Sequence, residues 1–204
     1  MFVQVIQGKV SDPDAMRAHT EKWGAEIGPG ATGWLDSTAG VTDDGTGIAV
    51  VRFESEDAAR RNSERPEQGE WWQTMATFYS EEPSFHDSSW VDVDEYGDLG
   101  AAGFVQVMQG KVRDVERARD LMASDTTDWP SVRPEILGTV WAGSEDGVWT
   151  MAIYFTTEEA ARAGEQQAMP PETEALMQEL NSLADGETRF LDLRDPWLMG
   201  FSRT

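Results

Sequence analysis

Two segments of this chain carry almost the same pattern of apolar and polar positions: FVQVIQGKV from Phe2 to Val10, and FVQVMQGKV from Phe104 to Val112. Each is rich in β-branched apolar residues and closes on Gly-Lys, which predicts a strand. A helical stretch follows in each case, DPDAMRAHTEKWGAEI and then DVERARDLMASDT, with Asp12 or Asp14 placed to cap the first. Two apolar runs come next, at about 34–41 and 47–53, separated by Thr-Asp-Asp-Gly; they recur at about 136–142 and 148–155 around Ser-Glu-Asp-Gly. Glycine accepts the positive φ of a tight turn, so an Asp-Gly pair between β-rich runs marks a hairpin. A second helical stretch opens at Ala58-Ala59-Arg60 and at Ala160-Ala161-Arg162. In the first copy Pro66 and Gly69 break it before it resumes through GEWWQTMATFY. A last strand closes each copy, SSWVDVDEY and RFLDLRD, and the order β-α-β-β-α-β is the ferredoxin-like unit.

The offset between the copies, 104 − 2 = 102 residues, also relates Asp44-Gly45 to Asp146-Gly147 and Phe53 to Phe155. One register for every pair marks an internal duplication. The expected division is 1–95 for the first unit, 96–103 for a linker inside the small, acidic segment DEYGDLGAAG, and 104–204 for the second unit with a tail. GIAVVRF and VWTMAIYF are apolar at nearly every position, so both faces of their sheets must be covered. Helices cover one face of such a sheet, and the sister unit is the candidate for the other. The expected fold is therefore α+β: tandem ferredoxin-like repeats whose antiparallel sheets pack on each other within one chain. Fusion removes the need for a second copy, so a monomer with an internal pseudo-dimer is expected. In the tail, Pro196 ends the last strand, and Trp197, Leu198, Met199 and Phe201 are apolar enough to fold back over a sheet seam or a helix.

Charge narrows the partners. With a net charge of −22 the chain repels phosphate backbones and anionic lipid, which argues against nucleic acid and membrane. Arginine outnumbers the three lysines, as in proteins of GC-rich bacterial genomes or salt-adapted surfaces. The absence of cysteine excludes disulfides and thiolate chemistry. No apolar run reaches the ~18 residues of a membrane span, and the N-terminus reads as a strand, so a soluble, cytoplasmic protein is expected. Two histidines without an HExxH or DxDxDG pattern give no metal site, and no glycine-rich phosphate loop points to a nucleotide cofactor.

The first strand, the segment FESEDAARR and the segment RPEQGEWWQTMATFYSEEPSFHD resemble the dimeric α+β barrel superfamily, most closely its antibiotic-biosynthesis-monooxygenase-like branch. The resemblance spans about 2–95, and about 104–195 more loosely. In that superfamily the two units are usually separate chains. It implies the tandem fold above and a range of functions: cofactor-independent oxidation of aromatic polyketides, haem degradation, isomerisation, or none assigned.

Candidate chemistry concentrates in the first unit. Trp71 and Trp72 are adjacent helical positions about 100° apart, so at most one points squarely into the core. With Phe78 they offer aromatic walls for a flat substrate, and His86 offers a proton-transfer group for a phenol. The plainer alternative is that the tryptophans pack helix on sheet and His86-Asp87 pairs beside a strand. At the 102 offset Thr173, Glu174 and Thr188 replace Trp71, Trp72 and His86, in a stretch read as about two residues shorter, which predicts a single pocket in the N-terminal half. Gln7, repeated as Gln109, either lines that pocket or bonds across the sheets, since burying it alone costs about 1–3 kcal/mol. Haem-degrading relatives use an Asn near Gln7 and a helix-borne His, and this chain departs at both. Arg52 interrupts an apolar strand and either binds an enol or anionic substrate or pairs with a carboxylate; His19 reads as a surface histidine. The functional expectation is a monooxygenase-like protein that binds a small aromatic molecule and needs no cofactor. The alternative is a non-catalytic binding or interaction protein with a degenerate pocket.

Overall fold

The computed structural model describes residues 1–201. The first copy runs β1 (Phe2–Lys9), α1 (Pro13–Glu26), β2 (Trp34–Val41), β3 (Thr46–Phe53), α2 (Glu56–Ser63), α3 (Pro66–Ala76), β4 (Ser84–Ser88) and β5 (Trp90–Glu95). The second runs β6 (Phe104–Lys111), α4 (Val115–Ala123), α5 (Trp129–Val132), β7 (Ile136–Gly143), β8 (Val148–Phe155), α6 (Glu158–Glu165), α7 (Pro171–Ser182), β9 (Arg189–Leu193) and β10 (Trp197–Met199). The described residues form two five-stranded sheets, ordered β10-β2-β3-β1-β4 and β5-β7-β8-β6-β9. The α+β, tandem ferredoxin-like fold expected from the repeat is the one found.

The closing strand of the second copy, RFLDLRD, forms β9 as expected, but that of the first copy and the tail differ from expectation. SSWVDVDEY is not one strand: the chain pairs with β1 through Ser88 and with β7 from Trp90 onward. The tail likewise forms β10, which pairs antiparallel with β2 at Trp197↔Ala39, Leu198↔Thr38 and Met199↔Ser37. One compact unit therefore comprises Met1–Val91 and the chain from Asp192 on, and the other Asp92–Leu191. The segment expected as a linker holds a 3-10 turn, Leu99–Ala101, in which Leu99 is buried in the second unit.

Local chemistry explains why both copies take the same path. Asp12 and Asp114 cap α1 and α4, and Ser55 and Thr157 cap α2 and α6, each pair at the 102 offset. Gly45 (φ +78°) and Gly147 (φ +85°) turn the two hairpins as the Asp-Gly pairs predict. The copies diverge between their second and third main helices. Residues 64–65 separate α2 from α3, whereas 166–170 separate α6 from α7. The isolated bridges Val10↔Tyr79 and Val112↔Ala184 give offsets of 112 − 10 = 102 and 184 − 79 = 105. The second copy is thus three residues longer at this point, not two shorter.

In the N-terminal unit, Met16, Ala39, Met75 and Trp197 form a core cluster with Trp71, Trp72, Phe78 and Tyr79 packed against it. Side chains alternate across the sheet, so Gln4↔Val51 and Ile6↔Ala49 share one face, and Val3↔Arg52 and Val5↔Val50 the other. On that second face Arg52 is buried and grips Asp36 with two nitrogens; Nε lies 2.7 and 2.9 Å from the carboxylate oxygens.

Arg52→Met removes the guanidinium while leaving a buried carboxylate, and is expected to cost about 3–5 kcal/mol. Arg52→Met combined with Asp36→Leu is expected to recover most of that loss. Urea unfolding of both variants checks it, and a double variant as unstable as the single one would contradict the balance.

Candidate functional site

A cavity of about 270 Å³ lies in the N-terminal unit, lined by the sheet, by α1 and α3 and by β10. Gln4, Ile6, Ala49 and Val51 supply its floor through one face of the pleat. Met16, Thr20 and Trp23 reach it from one side of α1 at the i, i+4, i+7 spacing of a helix face. Trp71, Trp72 and Met75 come from α3, and Trp197 and Met199 from the C-terminal strand.

Both candidate tryptophans line this cavity. Trp71 stacks on His19 with centroids 5.1 Å apart and 4° between planes, and Trp72 sits edge-on to Phe85 at 5.2 Å. The helices α1 and α3 are tied there by a reciprocal pair: Trp71 Nε1 donates to the His19 carbonyl at 3.1 Å, and His19 Nε2 lies 3.0 Å from the Trp71 carbonyl. A carbonyl only accepts, so His19 carries its proton on Nε2. Phe78 is edge-on to His19 at 5.7 Å and is not among the residues lining the cavity.

The other expected residues are elsewhere. His86 pairs with Val5 and Gln7 with Ile48, which puts both on the sheet face opposite Gln4 and Ile6; His86 is exposed there. Arg52 shares that face in its ion pair with Asp36, the carboxylate option foreseen for it. Strand alternation thus brings Phe85 to the cavity and carries its neighbour His86 away.

The cavity also takes residues that the sequence did not single out. Trp23 Nε1 donates to Gln68 Oε1 at 2.6 Å. Asn62, 6 % exposed, accepts through Oδ1 from Arg65 Nη1 at 3.0 Å. Burial pushes the Tyr79 phenol up to about 12, so it stays neutral and able to donate. The apolar spacing of α1 was a signal for Trp23. Nothing in the sequence announced Asn62, Gln68 or the destination of Trp197. No Asp, Glu, Lys, Arg or His is among the described residues lining the cavity, so it favours an uncharged ligand.

The second unit offers different chemistry. Its hollow of about 450 Å³ between α4 and α7 is lined by Arg117, Asp120, Asp125, Glu172 and Glu179, with no aromatic side chain. The 105 offset sets Leu176 and Met177 opposite Trp71 and Trp72 (71 + 105 = 176; 72 + 105 = 177).

Comparison with solved structures finds the same fold along the whole chain. A candidate monooxygenase of Lactobacillus acidophilus superposes with a TM-score of 0.73 at 12% identity, over 97% of this chain and 98% of that one. A candidate monooxygenase of Fusobacterium nucleatum gives 0.74 at 10% identity, over 97% and 93%. An anthrone oxidase-like protein gives 0.62 at 11% identity, over 98% and 93%. No family model matches the sequence, and no curated protein matches it.

Two outcomes follow from an uncharged lining. Binding of a neutral ligand is expected to be constant from about pH 5 to 9, and a bend where imidazoles titrate would instead implicate a histidine. Because the Tyr79 pKa is raised, its contribution to stability is complete below about pH 10 and falls away as pH rises toward about 12. Tyr79→Phe is expected to flatten that alkaline loss in denaturant melts, relative to the parent chain.

Proposed function

We propose that this chain, which carries the tandem ferredoxin-like fold of antibiotic-biosynthesis-monooxygenase-type proteins, binds a small, flat, uncharged aromatic molecule in its N-terminal unit. The supporting observation is the cavity itself: about 270 Å³, walled by Trp23, Trp71, Trp72 and Trp197, and free of charged lining among the described residues. That volume lies near the lower end of ligand pockets, about 300 Å³, which suits one to three fused rings. Haem fits poorly, because its carboxylates would need cations that this lining lacks.

Oxidation without a cofactor is the reaction this reading favours. The electrons would come from the substrate: a ring methylene becomes a carbonyl with one atom of O₂, and the other atom leaves as water. Tyr79, neutral until about pH 12, would act as a hydrogen-bond donor to a developing oxyanion rather than as a base. The anthrone oxidase-like neighbour makes tricyclic ketones sensible first probes. A second reading, binding without turnover, draws on the same uncharged lining, which provides no general base of ordinary pKa.

The test is a tryptophan-fluorescence titration with phenols, polycyclic quinols and ketones, haem and aliphatic controls. Nine tryptophans contribute to the signal, so Trp71→Phe and Trp72→Phe variants assign it. Flat aromatics are expected to quench saturably, with affinity reduced about tenfold, ~1.4 kcal/mol, in at least one variant. Oxygen uptake with the tightest compound separates turnover from simple binding. Saturable binding of haem or aliphatics alone would reject the aromatic-cavity reading.

A further inference from the structure

Resting on the cavity reading, we infer that ligand enters and leaves through one mouth, at the β4 edge of the sheet, and that Phe85 is the gate of that mouth. Its ring closes edge-on against Trp72 and swings into solvent to admit a ligand.

Two other sides of the cavity are fastened. On the β10 side, Trp197 is 9 % exposed and Met199 is half-buried, and both line the cavity. β10 pairs with β2 at three positions, and ion pairs of Arg17 with Asp195 and of Arg194 with Asp43 tether the chain just before it. Exposed ion pairs add little by themselves. Opening this side, however, would carry a buried indole into water and break strand pairing in the same step. At the junction of α2 and α3 the lining includes Ser63, which is exposed, but the polar groups there are tied together. Ser63 Oγ donates to the Ala59 carbonyl at 3.1 Å and Arg65 Nη1 to Asn62 Oδ1 at 3.0 Å. Arg65 Nη2 donates to the carbonyl of Ile27, at the end of α1, at 3.2 Å. An apolar molecule passing there would strip these groups of partners without replacing them.

The third side is different. β4 ends the order β10-β2-β3-β1-β4, so no strand of that sheet lies beyond it. Phe85 lines the cavity and is 45 % exposed, which puts its ring at the boundary between cavity and water. It meets Trp72 at 5.2 Å with 63° between planes, a contact of ring edges and faces that side-chain rotation alone breaks. Exposed side chains change rotamer in picoseconds to nanoseconds. Phe85 therefore clears the mouth while β4 keeps its pairing with β1 from Val3↔Ser88 to Gln7↔Ser84. Trp72 is hemmed in by Trp71 at 6.2 Å and Tyr79 at 6.5 Å, so Phe85 is the moving half of the pair.

The second copy has the residue without the gate. At the 105 offset Phe190 stands opposite Phe85, on the edge strand β9, and it is exposed as well. Phe190 is not among the residues lining the hollow of its unit, and Met177 holds the place of Trp72. An exposed phenylalanine becomes a gate where a cavity lies behind it.

Stopped-flow fluorescence of the full chain with 1-aminoanthracene, a flat tricycle uncharged at neutral pH, reads association and dissociation separately. Position 85 is exposed, so substitution there spares the core. Phe85→Ala is expected to raise both rate constants about fivefold, so that Kd changes less than either. Phe85→Trp, a bulkier gate, is expected to lower both. A residue that only lined the wall would alter chiefly dissociation. The β10 route is tested by Thr38→Cys with Leu198→Cys, an opposed pair whose side chains alternate away from the cavity. The chain has no other cysteine, so oxidation locks β10 onto β2. The oxidised and reduced forms are expected to bind and release the probe at the same rates. Rate constants unchanged in both Phe85 variants would overturn the gate, and so would slowing on oxidation that dithiothreitol reverses; either result leaves the cavity reading standing. No binding of the probe by the wild type would overturn the cavity reading, and this inference with it.

Discussion

The pleat of one strand governs the N-terminal unit. Along β1, Gln4 and Ile6 face the helices while Val3, Val5 and Gln7 face away. Because neighbouring strands are hydrogen-bonded in register, the same alternation passes to β2, β3 and β4. It sends Ala49, Val51 and Phe85 to the cavity, and Arg52 and His86 to the other face. A one-residue slip would exchange these sets, so the choice of cavity-facing residues is a matter of register before it is a matter of chemistry.

On the helix side, bulk prevents close packing. Trp23 meets Trp34 edge-on at 4.9 Å and Trp71 at 6.1 Å, and Trp71 meets Trp72 at 6.2 Å. Large rigid rings tile a surface well but leave gaps where their edges cannot interdigitate. Polar groups among them are held by protein neighbours: Trp34 Nε1 donates to Ser37, and Thr20 donates to the Met16 carbonyl. The result is a largely apolar hollow with a few oriented dipoles and no charged side chain among the described residues that line it.

The two halves of the chain share what builds the frame and differ in what fills it. Caps, hairpin glycines and the first strand hold the 102-residue register in both copies. The helix junction, where three residues separate the copies, is where the aromatic wall is lost and a hollow lined by charged groups takes its place. Turns and caps tolerate few residue types because each satisfies a particular backbone need. A cavity wall obeys no such local rule, so one copy can diverge while its fold remains.

The repeat, the hairpins and the β-α-β-β-α-β order were legible in the sequence because strand composition, Asp-Gly turns and capping residues act over a few neighbours. Trp71 and Trp72 were legible as a candidate site for a related reason: adjacent large aromatics are conspicuous in any context. His86, Gln7 and Arg52 were conspicuous too, yet their side of the sheet depends on pairing between strands far apart in the chain. The partition of SSWVDVDEY between two sheets, and the seating of Trp197 and Met199 beside β2, likewise arise from hydrogen bonds between strands far apart in the chain. Asn62 and Gln68 gave no sign in the sequence, because the partners that take their oxygens, Arg65 and Trp23, are set by the tertiary packing. Local backbone preference thus determined the elements and their order, and long-range pairing decided which side chains share a cavity and which atoms they turn toward it.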